Sequence, residues 1–149
     1  NILSQLRINV ANMSLCRHKR DGDALMVIET DQHIKPHQVS FLAELPEYDI
    51  DIYTHKKMKT DPEISLKALK LALPALEALE DFSEENVKAV LMELAQKNEM
   101  KTGQIMWPVR IAISGLQSTP GGATEIAYLL GKDETLRRMK LGVEKLENR

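Results

Sequence analysis

Apolar residues recur at two different periods along this chain, and the change from one to the other divides it. Near the N-terminus Ile8 and Val10 alternate with polar neighbours, within Ile8-Asn9-Val10-Ala11-Asn12-Met13-Ser14-Leu15-Cys16. A charged stretch from Arg17 to Asp23 then leads to the apolar run Ala24-Leu25-Met26-Val27-Ile28. Two β-rich runs flanking Asp21-Gly22 predict an antiparallel hairpin. The residues before Ile8 read as the tail of a helix whose beginning lies outside the chain.

Beyond Pro36 the period lengthens to that of a helix. Pro36 suits a first turn, and Val39, Leu42 and Ala43 predict a stripe running to about Leu45, where Pro46 ends it. The alternation in Tyr48-Asp49-Ile50-Asp51-Ile52-Tyr53 fits either a short strand or an extended connector. Thr60 and Glu63 have capping-box spacing, with Pro62 in the first turn. Leu66, Leu69, Leu73 and Leu76 then form one helical stripe, which Pro74 is expected to kink. Ser83 is the next candidate cap, and Val87, Val90, Leu91 and Leu94 are the face it introduces. After the polar Gln96-Lys97-Asn98-Glu99 three short helices follow. Pro108 is placed in the first turn of one ending at Gly115. Thr119 is expected to cap a second, with Pro120 at its first position and Gly131 at its end. The third runs from about Asp133 to Leu146 on Leu136, Met139, Val143 and Leu146.

The predicted fold is therefore mainly α, a helical array with a small N-terminal antiparallel β-hairpin. Its expected segments are 1–40, 41–100 and 101–149. No apolar run reaches the ~18–20 residues a bilayer span needs, and a single cysteine, Cys16, rules out an intrachain disulfide. The cytoplasm is the default compartment.

Formal net charge is −2 over 149 residues, which alone argues against generic nucleic-acid binding. The distribution changes that picture. From Leu42 to Met100 seven Lys or Arg stand against thirteen Asp or Glu, while from Lys101 to Arg149 eight stand against five. A basic face is expected at the C-terminal end, where Arg137 and Arg138 are candidate phosphate contacts.

Catalytic chemistry finds little support. His33 and His37 are four apart but lie on either side of a helix-opening proline, and no third metal ligand accompanies them. Cys16 reads as a small buried apolar residue. The chain has neither a Gly-x-x-x-x-Gly-Lys loop nor a Gly-x-Ser-x-Gly elbow. Lys56-Lys57-Met58-Lys59-Thr60 has a superficial likeness to the Lys-Met-Ser-Lys-Ser loop of class I synthetases. It lacks the serine after Met58, and it reads as a solvated linker. Thr119-Pro120-Gly121-Gly122 differs from these, because two glycines at a helix start let backbone amides approach a ligand closely.

Several ordered phrases carry a more specific signal. They are Phe41-Leu42-Ala43-Glu44-Leu45-Pro46-Glu47-Tyr48-Asp49, Lys56-Lys57-Met58-Lys59, Leu73-Pro74-Ala75-Leu76-Glu77-Ala78-Leu79, Lys101-Thr102-Gly103-Gln104, Trp107-Pro108-Val109-Arg110 and Leu129-Leu130-Gly131-Lys132. From about Phe41 to Leu146 the chain resembles the C-terminal helical cage of glutamyl-tRNA synthetases. That resemblance implies anticodon-loop recognition of a glutamate tRNA, with Arg110, Thr119, Pro120, Gly121 and Gly122 contacting RNA. Gly122 stands where the family often has a bulky apolar residue. The resemblance also implies a catalytic domain outside this chain. No cofactor is expected here, since ATP and Mg would belong to the full-length ligase.

The first 36 or so residues resemble instead a truncated ACT regulatory module of the L-serine dehydratase and phosphoglycerate dehydrogenase type. That likeness implies amino-acid binding, with Asn9 as the contact, and supplies the rival function of a small-molecule regulatory fragment. The join between the two likenesses reads as a fusion, a truncation or a chimeric gene.

Overall fold

A computed structural model describes the backbone of residues 10–17, 24–30, 40–119 and 121–149, with side chains from residue 40 onward except at 120. Strands β1 (Val10–Arg17) and β2 (Ala24–Thr30) pair antiparallel, from Arg17 opposite Ala24 to Val10 opposite Thr30, with an irregularity between Val10 and Asn12. The turn between them, Asn9 and the expected helix opening at Pro36 lie outside the described residues.

The rest is helical: α1 (Ser40–Ala43), a 3-10 turn (Ile50–Tyr53), α2 (Pro62–Glu77), α3 (Glu84–Lys97), α4 (Thr102–Ser114), α5 (Ala123–Leu130) and α6 (Lys132–Glu147). The core is continuous from Phe41 to Leu146, and its largest fully buried side chains include Tyr53, Leu69, Leu76, Leu91, Ile105, Ile111, Ile113, Ile126 and Met139. The predicted stripes supply much of it, with Leu69 and Leu76 from α2, Val87 and Leu91 from α3, and Leu136, Met139 and Leu146 from α6. In α1 the stripe is displaced: Phe41 is buried and Ala43 is exposed.

Helix punctuation differs from the sequence reading in four places. Asp61, not Thr60, caps α2, its carboxylate accepting the Ile64 N–H at 2.7 Å, while the buried Thr60 hydroxyl donates to the Tyr53 carbonyl at 2.7 Å. The alternating run at 48–53 is neither strand nor simple connector but ends in a 3-10 turn capped by Asp49. α4 starts at Thr102, so Pro108 lies inside it rather than in its first turn. Its ring removes the donor that would meet the Gln104 carbonyl, and burial of Pro108 and both its neighbours holds the helix across that gap. Thr119 does not cap α5. Gly121, at φ 96°, cannot be helical, so the helix opens one residue later with Gly122 as its N-cap. Pro74 lies in the last turn of α2, which continues only to Glu77.

Tight approach between elements fixes where α4 sits. A Cβ at Gly142 on α6 would lie 2.8 Å from the Tyr53 hydroxyl and 3.0 Å from Ala112 Cβ on α4. The Tyr53 hydroxyl is 2.9 Å from that of Tyr48, and burial pushes the Tyr53 phenol well above its usual range.

One sequence expectation is overturned outright. Arg138 is not a surface cation. Its side chain is fully buried, and its Nη1 donates to the carbonyls of Phe41 at 2.6 Å and Ile113 at 2.8 Å. Its Nε donates to Glu134 Oε1 at 2.7 Å. Ile113 lies in the last turn of α4 and Phe41 in the single turn α1, so both carbonyls lack intrahelical partners and present negative ends to the cation. Desolvation of a guanidinium is tolerated only with such partners.

Replacing Arg138 with Leu leaves those two buried carbonyls without a donor and Glu134 with Arg137 alone, and stability should fall by about 3–5 kcal/mol in urea denaturation. A loss below about 1 kcal/mol would contradict this role. Glu134 offers a pH test. Bonds from Arg137 first, then Arg138, hold its carboxyl at about 2 against an ordinary 4.5. The unfolded chain then takes up a proton at a pH where the folded chain does not, so stability drops as pH falls through that interval. In Glu134→Gln the acid limb between about pH 4.5 and 2 should be flatter than in wild type; identical limbs would count against the pairing.

Candidate nucleic-acid interface

The C-terminal half of the site is built on one face of α4. With Thr102 as the first residue of that helix, Gly103, Met106, Trp107 and Arg110 share a side at spacings of three and four. They line a small cavity of about 130 Å³ together with Met58 from the 55–60 turn and with Gly122 and Ala123 at the start of α5. Three segments therefore meet there.

Trp107 is the centre of a stack. Its ring is 4.2 Å from that of His55 on one side, tilted by 46°, and the Arg110 guanidinium lies 4.7 Å from its centroid. The indole Nε1 donates to the Ile52 carbonyl at 3.1 Å, which fixes the ring's rotation. The 55–60 turn is held against it by paired backbone bonds between His55 and Thr60 at 3.1 and 3.2 Å, and by Met58 N–H donating to His55 Nδ1 at 3.2 Å. Gly103 permits this docking, since a Cβ there would meet Met58 Sδ at 2.7 Å.

Arg110 is only partly satisfied. Nη2 donates to the Gln117 carbonyl at 2.7 Å, whereas the buried Nε–H has no partner among the described residues. Burial lowers its pKa. A buried donor without an acceptor costs about 1–3 kcal/mol, and such an orphan at the lip of a cavity is a place for a ligand acceptor. The Thr119 hydroxyl donates to the Gly121 carbonyl at 2.8 Å, so it has only lone pairs to offer. Gly122 has nothing within 4 Å of where a Cβ would stand, leaving the α5 entrance open.

The structure thus brings Arg110 and Gly122 into one cavity lining, with Thr119 and Gly121 on the segment leading to it. Pro120 lies outside the described residues, as does Asn9. Arg137 belongs elsewhere. It lines a cleft of about 710 Å³ with Tyr48, Leu141, Lys145 and Arg149, and it chelates Glu134 through Nε at 2.8 Å and Nη2 at 2.6 Å. Arg138 is in the core. The sequence reading does not include His55, Met58, Gly103 or Met106 among the site residues; with the helix begun at Thr102, the spacing from Gly103 to Arg110 puts all four α4 residues on one face.

The family described as an anticodon binding domain matches residues 29–143. This chain belongs to that family. Its match begins within β2, earlier than the resemblance read from the sequence. Glutamate–tRNA ligases are similar over the same part: one from Clostridium acetobutylicum is 53% identical over 112 residues, covering 75% of this chain and 23% of that protein. One from Clostridium novyi is 55% identical over 112 residues with the same coverage. The chain therefore spans about a quarter of the length of these relatives. A crystal structure of a glutamate tRNA ligase from Elizabethkingia meningosepticum in complex with its amino acid superposes with a TM-score of 0.62 at 27% identity, over 74% of this chain and 21% of that one. No helix of the described residues is long and apolar enough to cross a membrane.

Gly103→Ala tests the docking of the anticodon-binding domain's 55–60 turn. The clash is with the flexible tip of Met58, which can move aside, so global stability should change little. The Met58 methyl resonance should nevertheless shift and its exposure increase. An unchanged Met58 signal in a folded variant would show that Gly103 does not govern the turn.

Proposed function

We propose that this chain reads the anticodon loop of a glutamate tRNA as the C-terminal part of a glutamate–tRNA ligase. The observation that carries this reading is Arg110, a guanidinium stacked on Trp107 at the edge of a cavity, whose buried Nε–H has no partner among the described residues. Unpaired anticodon bases offer flat faces to stack and Watson–Crick edges rich in acceptors, which is what such a group can take up. Membership of the family and the names of its relatives support the same partner.

In this reading Arg110 donates to a base edge, the Trp107 plane sets the depth to which the base enters, and the Thr119 oxygen accepts from a base amine. Gly121 and Gly122, with Pro120 between Thr119 and them, let the ribose-phosphate chain pass close to the start of α5. Arg137 is an outlying phosphate contact at most, being already chelated by Glu134. Arg138 has no part in it. The 1–40 segment is left as a separate unit from the helices at 41–100 and 101–149, and the helical cage is the functional fold. In this reading chemistry belongs to the ligase's catalytic domain with its ATP and Mg. A cytoplasmic location goes with this role.

Arg110→Ala should weaken binding of a glutamate-tRNA anticodon stem-loop by about 1–3 kcal/mol and reduce discrimination between anticodons. Arg110→Lys should not restore it, because an ammonium cannot reproduce the planar fork. Trp107 is the chain's single tryptophan, so its emission reports occupancy of the site directly. If wild-type protein binds while Arg110→Ala leaves both affinity and discrimination unchanged, Arg110 is not a reader.

A further inference from the structure

Beside the Trp107 stack lies a group of cations that anticodon reading by Arg110 does not use. Lys56, Lys57 and Lys59 are exposed on the 55–60 turn, and Lys101 is the residue preceding α4. Among the described residues none of the four has a carboxylate within 4 Å, although Lys70, Lys97, Lys140 and Lys145 each do. Gln104 holds two of them together. Its Oε1 accepts the Lys101 backbone N–H at 2.9 Å, and its Nε2 donates to the Lys59 carbonyl at 3.0 Å.

The arrangement is unfavourable in the free protein. Lys59 has a left-handed backbone, φ 55°, which is strained for a residue with a side chain. Through Gln104 the Lys59 and Lys101 backbones are tied together, and the Lys59 charge lowers the Lys101 amine from its ordinary range. Like charges held together without an intervening acid are relieved by an anion placed between them. The neighbouring acids do not fill that role: Asp61 is occupied capping α2, and Glu63 and Glu99 make no ion pair with these lysines.

We infer that Lys59 and Lys101, flanked by Lys56 and Lys57, form a binding rim for the ribose-phosphate backbone of single-stranded RNA beside the Trp107–Arg110 cavity. The inference rests on the reading of that cavity as a base site, and it assigns the backbone contacts to the turn and the start of α4 rather than to α6. Position favours RNA over another anion. Met58, between Lys57 and Lys59, and Gly103, two residues after Lys101, both line the cavity itself. A strand whose base enters there must carry its phosphates past the lysines. The geometry makes this a sequence-independent grip, distinct from the reader.

The test uses the full 149-residue chain and two probes, a glutamate-tRNA anticodon stem-loop and a short abasic oligoribonucleotide that has phosphates but no bases. Lys59→Gln with Lys101→Gln should weaken abasic-strand binding tenfold or more at low salt. It should also lower the slope of log affinity against log salt by about 1.4, two contacts at about 0.7 each for single strands. Lys70→Gln with Lys140→Gln removes the same charge from ion-paired positions and should change neither quantity by more than about twofold. Equal effects of the two double variants would overturn the inference, as would failure of the wild-type chain to bind the abasic strand. Equal, lysine-dependent binding of a poly-glutamate peptide would also overturn it, assigning the surface to an acidic protein. Lysine-dependent abasic binding with no effect of Arg110→Ala on anticodon discrimination would uphold the rim and sink the base-reading proposal.

Discussion

A guanidinium removed from water must recover its hydrogen bonds elsewhere, and Arg138 recovers them from α1, α4 and its own helix at once. The carbonyls it takes, Phe41 and Ile113, are helix-end groups that would otherwise be buried without donors. Each side thus removes the other's cost. α1 is a single turn and too short to persist by its own backbone bonds; its docking depends on the buried Phe41 ring and on this cation. The same bond fixes the far end of α4. Trp107 Nε1 on Ile52 and the glycine contact of Gly142 with Ala112 fix its middle. The Trp107–Arg110 face is presented by a helix anchored at several points, which holds its side chains in a fixed arrangement.

Much of the core could be read from spacing, because apolar residues recurring at three and four positions place one continuous face of a helix against its neighbours. Leu69, Val87, Leu91, Met139 and Leu146 are all where the pattern put them. Helix ends were less legible, and for identifiable reasons. Proline is best tolerated in a first turn, so Pro108 suggested a helix start, but tertiary burial of Trp107, Pro108 and Val109 outweighed the lost bond and carried α4 through. Thr119 has the right chemistry for a cap, yet the left-handed Gly121 separates it from the helix and its hydroxyl turns to the Gly121 carbonyl instead. At Thr60 and Asp61, two acceptable caps stood side by side, and the one whose neighbour was the buried Tyr53 carbonyl went inward.

The site was half legible. Arg110 and the Gly121-Gly122 pair came from their motif, and Arg110 and Gly122 line one cavity. The partners that give Arg110 its setting did not, because placing α4's start at Pro108 removed Gly103 and Met106 from the helix and left the 55–60 turn as a linker. His55 illustrates the limit. Nothing in its local sequence distinguishes a histidine that stacks on a distant indole from one in solvent. Arg138 shows the converse error, in which a cation at a basic chain end was assigned to the surface although the third dimension had a buried use for it.

Charge is governed by the same dependence on packing. A formal −2 argues against a polyanion partner only if every charge is felt equally, and at physiological salt the screening length is about 8 Å. A phosphate beside Trp107 therefore responds to the few charges around it and not to the acidic face of α3. Arg137 and Lys145 are already neutralised by Glu134 and Glu47, so they add little field despite belonging to the basic third of the chain. Lys59 and Lys101 are not, and they lie in the segment that composition alone marked as acidic or at its very edge. What distinguishes a cation available to a ligand is the absence of an acid beside it, a property of packing that no running sum along the sequence contains. In the reading proposed above, two tasks that a basic patch would merge are separate: Arg110, partly desolvated on an aromatic plane, tells bases apart, and the exposed lysines hold the strand while that comparison is made.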